Sequence, residues 1–339
     1  MKLTKLGLEY FDIISNDNTL RAWTREELSV VLLTFEFSIN SMSSNMTETK
    51  AMSIFYHIQE QLFSESPSLL VLLLFGCFIL FAFECLNLIT LHTQLWTKIS
   101  LIPVRGKHLD ELSGRDKLFI GLNKLATPPF AYFYLRYSLK NNSIPLSTTE
   151  MTLLNTIAPL PVLFIIYDFF YTILHGFLHI PTIYSYIHKH HHHQKAPSRA
   201  NVDAVNVHPV EFFLGEYNHW LALYLVSQTM MEVHFVASVL FLGIGAILTG
   251  WNHTRFDVSF LGGIYDSKAH DVHHRIPQSN YGQYSMFWDH VFGTFRRYNE
   301  SDRINPRAQL DSATGKSLEY MEYSKSSNKI PQYSSRKKL

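Results

Sequence analysis

Residues 68–91, SLLVLLLFGCFILFAFECLNLITL, form an apolar run of 24 residues broken by one acid, Glu84. As a helix rising about 1.5 Å per residue, such a run reaches across the roughly 30 Å hydrocarbon core of a bilayer. Within hydrocarbon every backbone N–H and C=O must be satisfied inside the segment, so the run is held to a membrane-spanning helix. The rest of the chain must fold around a bilayer. Composition agrees, since charged residues make up 17% of the chain against about 25% in soluble domains.

Residues 156–174 read as a second span, with Pro159 and Pro161 near its start and Asp168 deep inside, and they lead directly into His175 and His179. Between the two, residues 117–137 are apolar but interrupted by Lys124 and Pro128-Pro129, which predicts an interfacial or re-entrant segment. Residues 219–250 are too long for one crossing and carry Glu232 and His234 near the middle. A bent hairpin of two short segments absorbs the excess length and returns the chain to the side it left. From Asn299 onward the composition predicts a flexible tail ending RKKL. The N-terminus lacks the continuous apolar core of a secretory signal.

The expected fold is therefore all-α: an integral membrane helical bundle with a cytosolic helical cap carrying the histidines. Its expected parts are an N-terminal region of unknown role (1–66), a first transmembrane helix and interfacial segment (67–150), a histidine-bearing domain (151–298) and the tail (299–339). Cys77 and Cys85 both lie in the first apolar run, which excludes a disulfide framework and a thiolate metal site. A net charge of +1 with no basic stripe sets nucleic acid aside.

Of 18 histidines, 15 lie between His175 and His290. The pattern H-x-x-H-H occurs twice, as His188, His191, His192 and as His270, His273, His274. Positions i, i+3 and i+4 share one face of an α-helix, so each triplet is expected to aim three imidazoles into one space, and His175 with His179 does the same. His190 then points away and His193 falls outside the register; both read as solvated. His253 in WNHTRFD and His208 in VNVHPVE raise the candidates to ten. One ion cannot use so many imidazoles, whereas two can, and nitrogen donors suit iron, zinc, copper or nickel over calcium or magnesium.

Asp168, on the His175 face, is expected to bond a ligating imidazole or to pair with another helix. Asp271 and Asp289 are expected to orient imidazoles or, in preference, to cap helices. His57, His92, His108, His219, His234 and His290 read as ordinary hydrogen-bonded residues. No catalytic residue beyond the metal ligands and no further cofactor site is indicated, and the absence of H-E-x-x-H weighs against a zinc hydrolase.

In the order HGFLH, HKHHHHQKAP, HPVE, WNHTRFD, AHDVHH and FWDHVFGTF, roughly residues 168–298, the chain resembles the fatty acid hydroxylase and sterol desaturase superfamily of membrane di-metal oxidases. The resemblance implies two iron ions, with zinc as a substitute, held by His175, His179, His188, His191, His192, His253, His270, His273 and His274, with His208 as a tenth candidate. It further implies an O2-dependent oxidoreductase that hydroxylates, desaturates or epoxidises a membrane lipid. Electrons would come from a separate haem carrier of the cytochrome b type and its NAD(P)H reductase; a fused carrier domain is not expected, because the one His-Pro pair, His208-Pro209, is followed by Val-Glu.

The HP-x-E and HD-x-HH segments are most similar to sterol-pathway oxidases, so the expected substrate is a sterol or a precursor such as a 4-methyl sterol or squalene. A fatty acid or sphingolipid hydroxylase of the same superfamily and a zinc-dependent membrane hydrolase are the alternatives. Gly176, where many members carry Arg, and HTRFD, where sterol 4-methyl oxidases often show HSGYD, are departures that bear on substrate more than on chemistry. The RKKL end is similar to retrieval signals of the endoplasmic reticulum, which implies a multi-pass protein of that membrane with a cytosolic site. Of the sequons at Asn45, Asn141, Asn252 and Asn299, the last two would then be unmodified.

Overall fold

The computed structural model describes residues 57, 60–64, 67–93, 99–104 and 111–299. Nearly all of the N-terminal region 1–66, the tail beyond 299 with its RKKL end, Asn45 and His108 lie outside the described residues. The chain divides into two units, Met1–Leu72 and Leu73–Leu339. In the first, Leu62 and Phe63 are buried.

Helix α1 (Leu69–Leu91) is the expected first span. It is apolar all round, as lipid requires, and buries only Asn87 and Thr90 near its end. There Asn87 Oδ1 accepts from the Asn201 amide (3.0 Å), which ties the span to the histidine-bearing region.

Helix α2 (Gly114–Lys140) opens with a capping box in which Ser113 and Asp116 each bond the other's backbone amide, at 3.2 and 2.7 Å. It runs unbroken for 27 residues through Pro128 and Pro129 and is not among the candidate spans of the described residues. The two prolines omit one intrahelical bond each, but tertiary contacts grip the helix on both sides of them. Asn123 Nδ2 donates to the Val205 and Val207 carbonyls (2.8 and 2.9 Å), Tyr134 donates to the Ser238 carbonyl (3.1 Å), and Lys124 pairs with Glu84 of α1.

A short helix, α3 (Leu153–Thr156), leads into α4 (Pro159–Leu178), with Pro159 at the first helical position where its missing N–H costs nothing. Together, Leu153–Leu178 is long and apolar enough to cross a membrane, extending the expected 156–174 at both ends. Then follow α5 (Pro181–Tyr184), a 3-10 run (His188–His193), α6 (Asn201–Ala204), α7 (Pro209–Leu225), a π turn (Val226–Met230) and α8 (Phe235–Asn252). Helices α7 and α8 are the two legs of the expected bent hairpin, and α8 is the third candidate span among the described residues. Its turn consumes the central polar pair: Glu232 accepts from Asn155 Nδ2 (2.6 Å), and His234 caps α8 by accepting from the Val236 amide (3.2 Å).

A two-stranded antiparallel pair, β1 (Ser259–Phe260) and β2 (Tyr265–Asp266), precedes α9 (Ser267–Arg275), and α10 (Phe287–Phe292) completes the described elements. The core lies where α4, α7 and α8 meet: Leu163 and Tyr167, Ala222 and Leu223, Ala237 and Phe241. Packing these three helices gathers the C-terminal ends of α4 and α8 and the N-terminal end of α7 at one end of the bundle. The result is a helical membrane bundle whose histidines collect at that end.

Candidate metal centre

Nine of the ten candidate histidines fall into two groups. His175, His179, His188, His192 and His273 each place a ring nitrogen within 4.8 Å of the others, and so do His191, His253, His270 and His274. The two groups abut, with the His192 and His274 rings 5.1 Å apart and those of His191 and His188 5.6 Å apart.

Each H-x-x-H-H copy is divided between the groups, where one shared space was expected. In the first copy, positions i and i+4 (His188, His192) join the five-membered group and i+3 (His191) joins the other; in the second copy, i and i+4 (His270, His274) join the four-membered group and i+3 (His273) crosses over. Positions i+3 and i+4 stand about 100° apart around a helix axis, so a box lying between two centres serves both. The first copy is a 3-10 run rather than an α-helix, and the second sits on α9.

The tautomers of several rings are set by their outer nitrogens. Nδ1 of His175, His273, His253 and His274 lies 2.8, 2.7, 2.8 and 2.8 Å from the carbonyls of Tyr281, Ser279, Thr249 and Gln194. A carbonyl only accepts, so each of these rings carries its proton on Nδ1 and turns a bare Nε2 inward. His188 donates from Nδ1 to Glu211 Oε1 (2.7 Å), and its Nε2 faces that of His175 at 3.0 Å. In the other group, Nε2 of His253 faces Nε2 of His191 and His270 at 3.3 and 3.2 Å.

For His175 and His188, whose protons both sit on Nδ1, the lone pairs opposed at 3.0 Å repel unless a positive centre lies between them. The Nε2 atoms of His179 and His273, themselves shielded from solvent, have no hydrogen-bond partner among the described residues. Burial first, then the neighbouring imidazoles, holds His188, His192, His270, His273 and His274 well below the ordinary histidine range; burial likewise lowers His191 and His253, and His179 falls to about 2. Neutral, converging imidazoles with bare nitrogens fit two metal ions that prefer nitrogen donors.

The carboxylates do different work from that expected. Asp168 bonds no imidazole: its oxygens accept from the amides of Gln283, Tyr284 and Ser285 (3.1, 3.0 and 2.6 Å) and from Ser285 Oγ (2.9 Å). Asp289 is no helix cap either; it accepts from the amides of Tyr281 and Gly282 (2.7 and 2.8 Å) and from Thr294 Oγ1 (2.6 Å). Five consecutive amides, 281–285, are thus held by two buried aspartates. The same loop offers the Tyr281 carbonyl to His175, while Asn252 donates to its Gln283 carbonyl (2.7 Å), occupying that sequon's side chain. Asp271 pairs with Arg255 and Arg275 (2.8 and 3.1 Å), bracing α9 from outside.

His208 stands outside both groups. Its Nδ1 accepts from the Val210 amide (3.2 Å) at the start of α7, and its ring packs on Phe119 at 5.4 Å. From HPVE it is Glu211 that reaches the centre, a role sequence reasoning missed although the segment itself stood out. His190 is buried against Asn206 and Asp116 (2.9 and 3.1 Å) and therefore is not solvated, while His193 is exposed. His219 bonds the Tyr284 hydroxyl at 2.8 Å inside the bundle. Eight of the nine grouped histidines are buried; His179 alone is partly open, between the rings of Tyr184 and Tyr281, each 5.3 Å away.

Residues 160–294 match the fatty acid hydroxylase family. The chain is similar to methylsterol monooxygenase 1 of Rattus norvegicus, 26% identical over 40% of this chain and 45% of that protein. It is also similar to lathosterol oxidase of the same species, 28% identical over 42% and 46% of the two chains. A third similarity is to the Delta(7)-sterol 5(6)-desaturase of Saccharomyces cerevisiae, 28% identical over 38% and 33%. The chain thus spans about half the length, or less, of the curated relatives it matches. No solved structure matches it. Over residues 160–294, then, the chain matches the fatty acid hydroxylase family and is similar to sterol oxidases and desaturases.

Proposed function

We propose that residues 151–298 form the catalytic domain of a membrane-bound, O2-dependent oxidase of lipids, acting on a sterol or a sterol precursor by hydroxylation, desaturation or epoxidation. The observation that carries this reading is the pair of adjacent, all-imidazole groups with bare nitrogens turned inward. His175, His179, His188, His192 and His273 would hold one iron ion, and His191, His253, His270 and His274 the other. Bound there, the pair of ions would supply the redox chemistry that activates dioxygen.

The chain's own residues do the rest. Backbone carbonyls fix the ligand tautomers, and Glu211 raises the basicity of His188 as an acceptor for its Nδ1–H. Burial of eight ligands keeps water from the centre, and the partly open edge of His179 leaves one approach beside Tyr184 and Tyr281 for a lipid carbon. The sterol preference rests on the activities named for its relatives. Among the described residues the grouped side chains are all imidazoles, and Glu211 is turned to a ligand's outer nitrogen rather than placed as a hydrolytic base.

In this reading the protein resides in the endoplasmic reticulum with its site facing the cytosol, where a separate cytochrome b carrier and its NAD(P)H reductase deliver electrons. The test is turnover of 4-methyl sterol, lathosterol and squalene by the full chain in lipid nanodiscs with carrier and reductase. Product is expected in air and none under argon or without reductant; product formed without oxygen, or full turnover after joint His191→Ala and His273→Ala replacement, overturns the proposal.

A further inference from the structure

Residues 281–293 leave the level of the histidines and come back to it. The neck of the excursion is closed by Asn280, whose amide donates to the Thr294 carbonyl (3.1 Å) and whose side chain accepts from the Arg296 amide (2.7 Å) and donates to the Arg296 carbonyl (2.8 Å). Just before the neck, the Ser279 carbonyl takes the Nδ1 proton of His273. Gly293, at φ 72°, turns the chain back at the end of α10.

Between these points α10 lies along the membrane-spanning helix α4. Trp288 Nε1 donates to the Ile165 carbonyl (2.8 Å), and its ring packs on Phe169 at 4.8 Å. Ile165 precedes His175 by ten residues, which at about 1.5 Å per residue is roughly 15 Å along the axis toward the middle of the span. An irregular segment at that depth survives only if its backbone polar groups find partners within the protein. The five amides of 281–285 do so, through Asp168 and Asp289. Three large apolar side chains of the excursion are exposed, Phe287 at 51%, Val291 at 57% and Phe292 at 45%. Exposed His290 instead lines a polar cleft with Lys268 and Arg296.

We propose that residues 281–293 are a re-entrant insert of the membrane, with Phe287, Val291 and Phe292 in contact with lipid hydrocarbon. The occupant of this apolar face is the bilayer itself, because the helix against which α10 packs is a membrane span at that level. The aspartate clamp explains why the sequence spends two buried acids on a loop. The insert is independent of which metal the histidines take and of what the protein oxidises.

Site-directed spin labelling tests it on the full chain in phosphatidylcholine nanodiscs. With Cys77 and Cys85 replaced by Ala, a nitroxide is placed at Val291→Cys, at Phe287→Cys or, as a water-facing reference, at Arg297→Cys, and collision rates with oxygen and with a water-soluble nickel chelate are compared. The oxygen-to-nickel ratio is expected to be several-fold higher at both 291 and 287 than at 297. A ratio at either position equal to that at 297 overturns the proposal.

Discussion

Replacing Asp168 by Asn tests whether the loop beside the histidines is held by charge or merely by shape. The variant keeps the size of the side chain, and its amide oxygen can still accept from the Gln283 and Tyr284 amides, 3.1 and 3.0 Å from Oδ1 in the wild type. Its NH2 group then faces the Ser285 amide where Oδ2 stood at 2.6 Å, donor against donor. Ser285 Oγ, at 2.9 Å, is a rotor and can turn to accept. The loss is one hydrogen bond to a charged acceptor, about 1.5–3 kcal/mol, together with a buried N–H left unpaired, about 1–3 kcal/mol.

Removing a buried charge relieves part of its desolvation, which leaves a net cost of about 2–4 kcal/mol. At roughly 2–4 °C per kcal/mol for a unit of this size, the apparent Tm should fall by about 5–15 °C. Ser285→Ala, which deletes only the hydroxyl bond, should cost about 1 kcal/mol. The assay is thermal unfolding of both variants beside wild type in one detergent, with metal content measured on the same samples. Because the loop carries the Tyr281 carbonyl to His175, Asp168→Asn should also lose metal preferentially from the five-histidine group. A Tm for Asp168→Asn no lower than that of Ser285→Ala would refute the argument that the carboxylate satisfies the loop amides.

The division of the histidine boxes predicts that His273→Ala and His191→Ala each reduce bound metal from two ions toward one, from different groups, with the fold intact by circular dichroism; loss of both ions from each variant would contradict separate centres. Glu211→Gln replaces the carboxyl partner of His188 Nδ1 and should weaken metal retention by about 10–100-fold, read from release to a chelator. At Gly282 a Cβ would come within 2.3 Å of the Ser285 carbonyl, so Gly282→Ala should destabilise by about 2–4 kcal/mol, or prevent accumulation of the protein, whereas the unobstructed Gly121→Ala should be near neutral.

Much of the site is legible in the sequence. A helix or 3-10 turn brings residues three and four apart onto neighbouring faces, so the spacing of His188, His191 and His192, and of His270, His273 and His274, marks them as a set. The apolar lengths of 68–91 and 219–250 in the same way mark a span and a bent hairpin. His208 and Glu211 show the limit: both lie in HPVE, and only the orientation of α7 against the first box decides that the acid reaches His188 while the imidazole caps the helix. Asp168 shows it again, since its position on α4 is evident but its partners lie more than a hundred residues away.

Sequence alone therefore determined the membrane, the bundle and the membership of the two histidine boxes, because these follow from hydrophobic length and from periodicities shorter than two helical turns. Tertiary structure alone decided how the boxes divide between two groups, which carbonyl locks each of four rings, and that two aspartates hold a loop against a spanning helix. Those outcomes depend on which distant backbone groups arrive at a given side chain, and local spacing places no constraint on that.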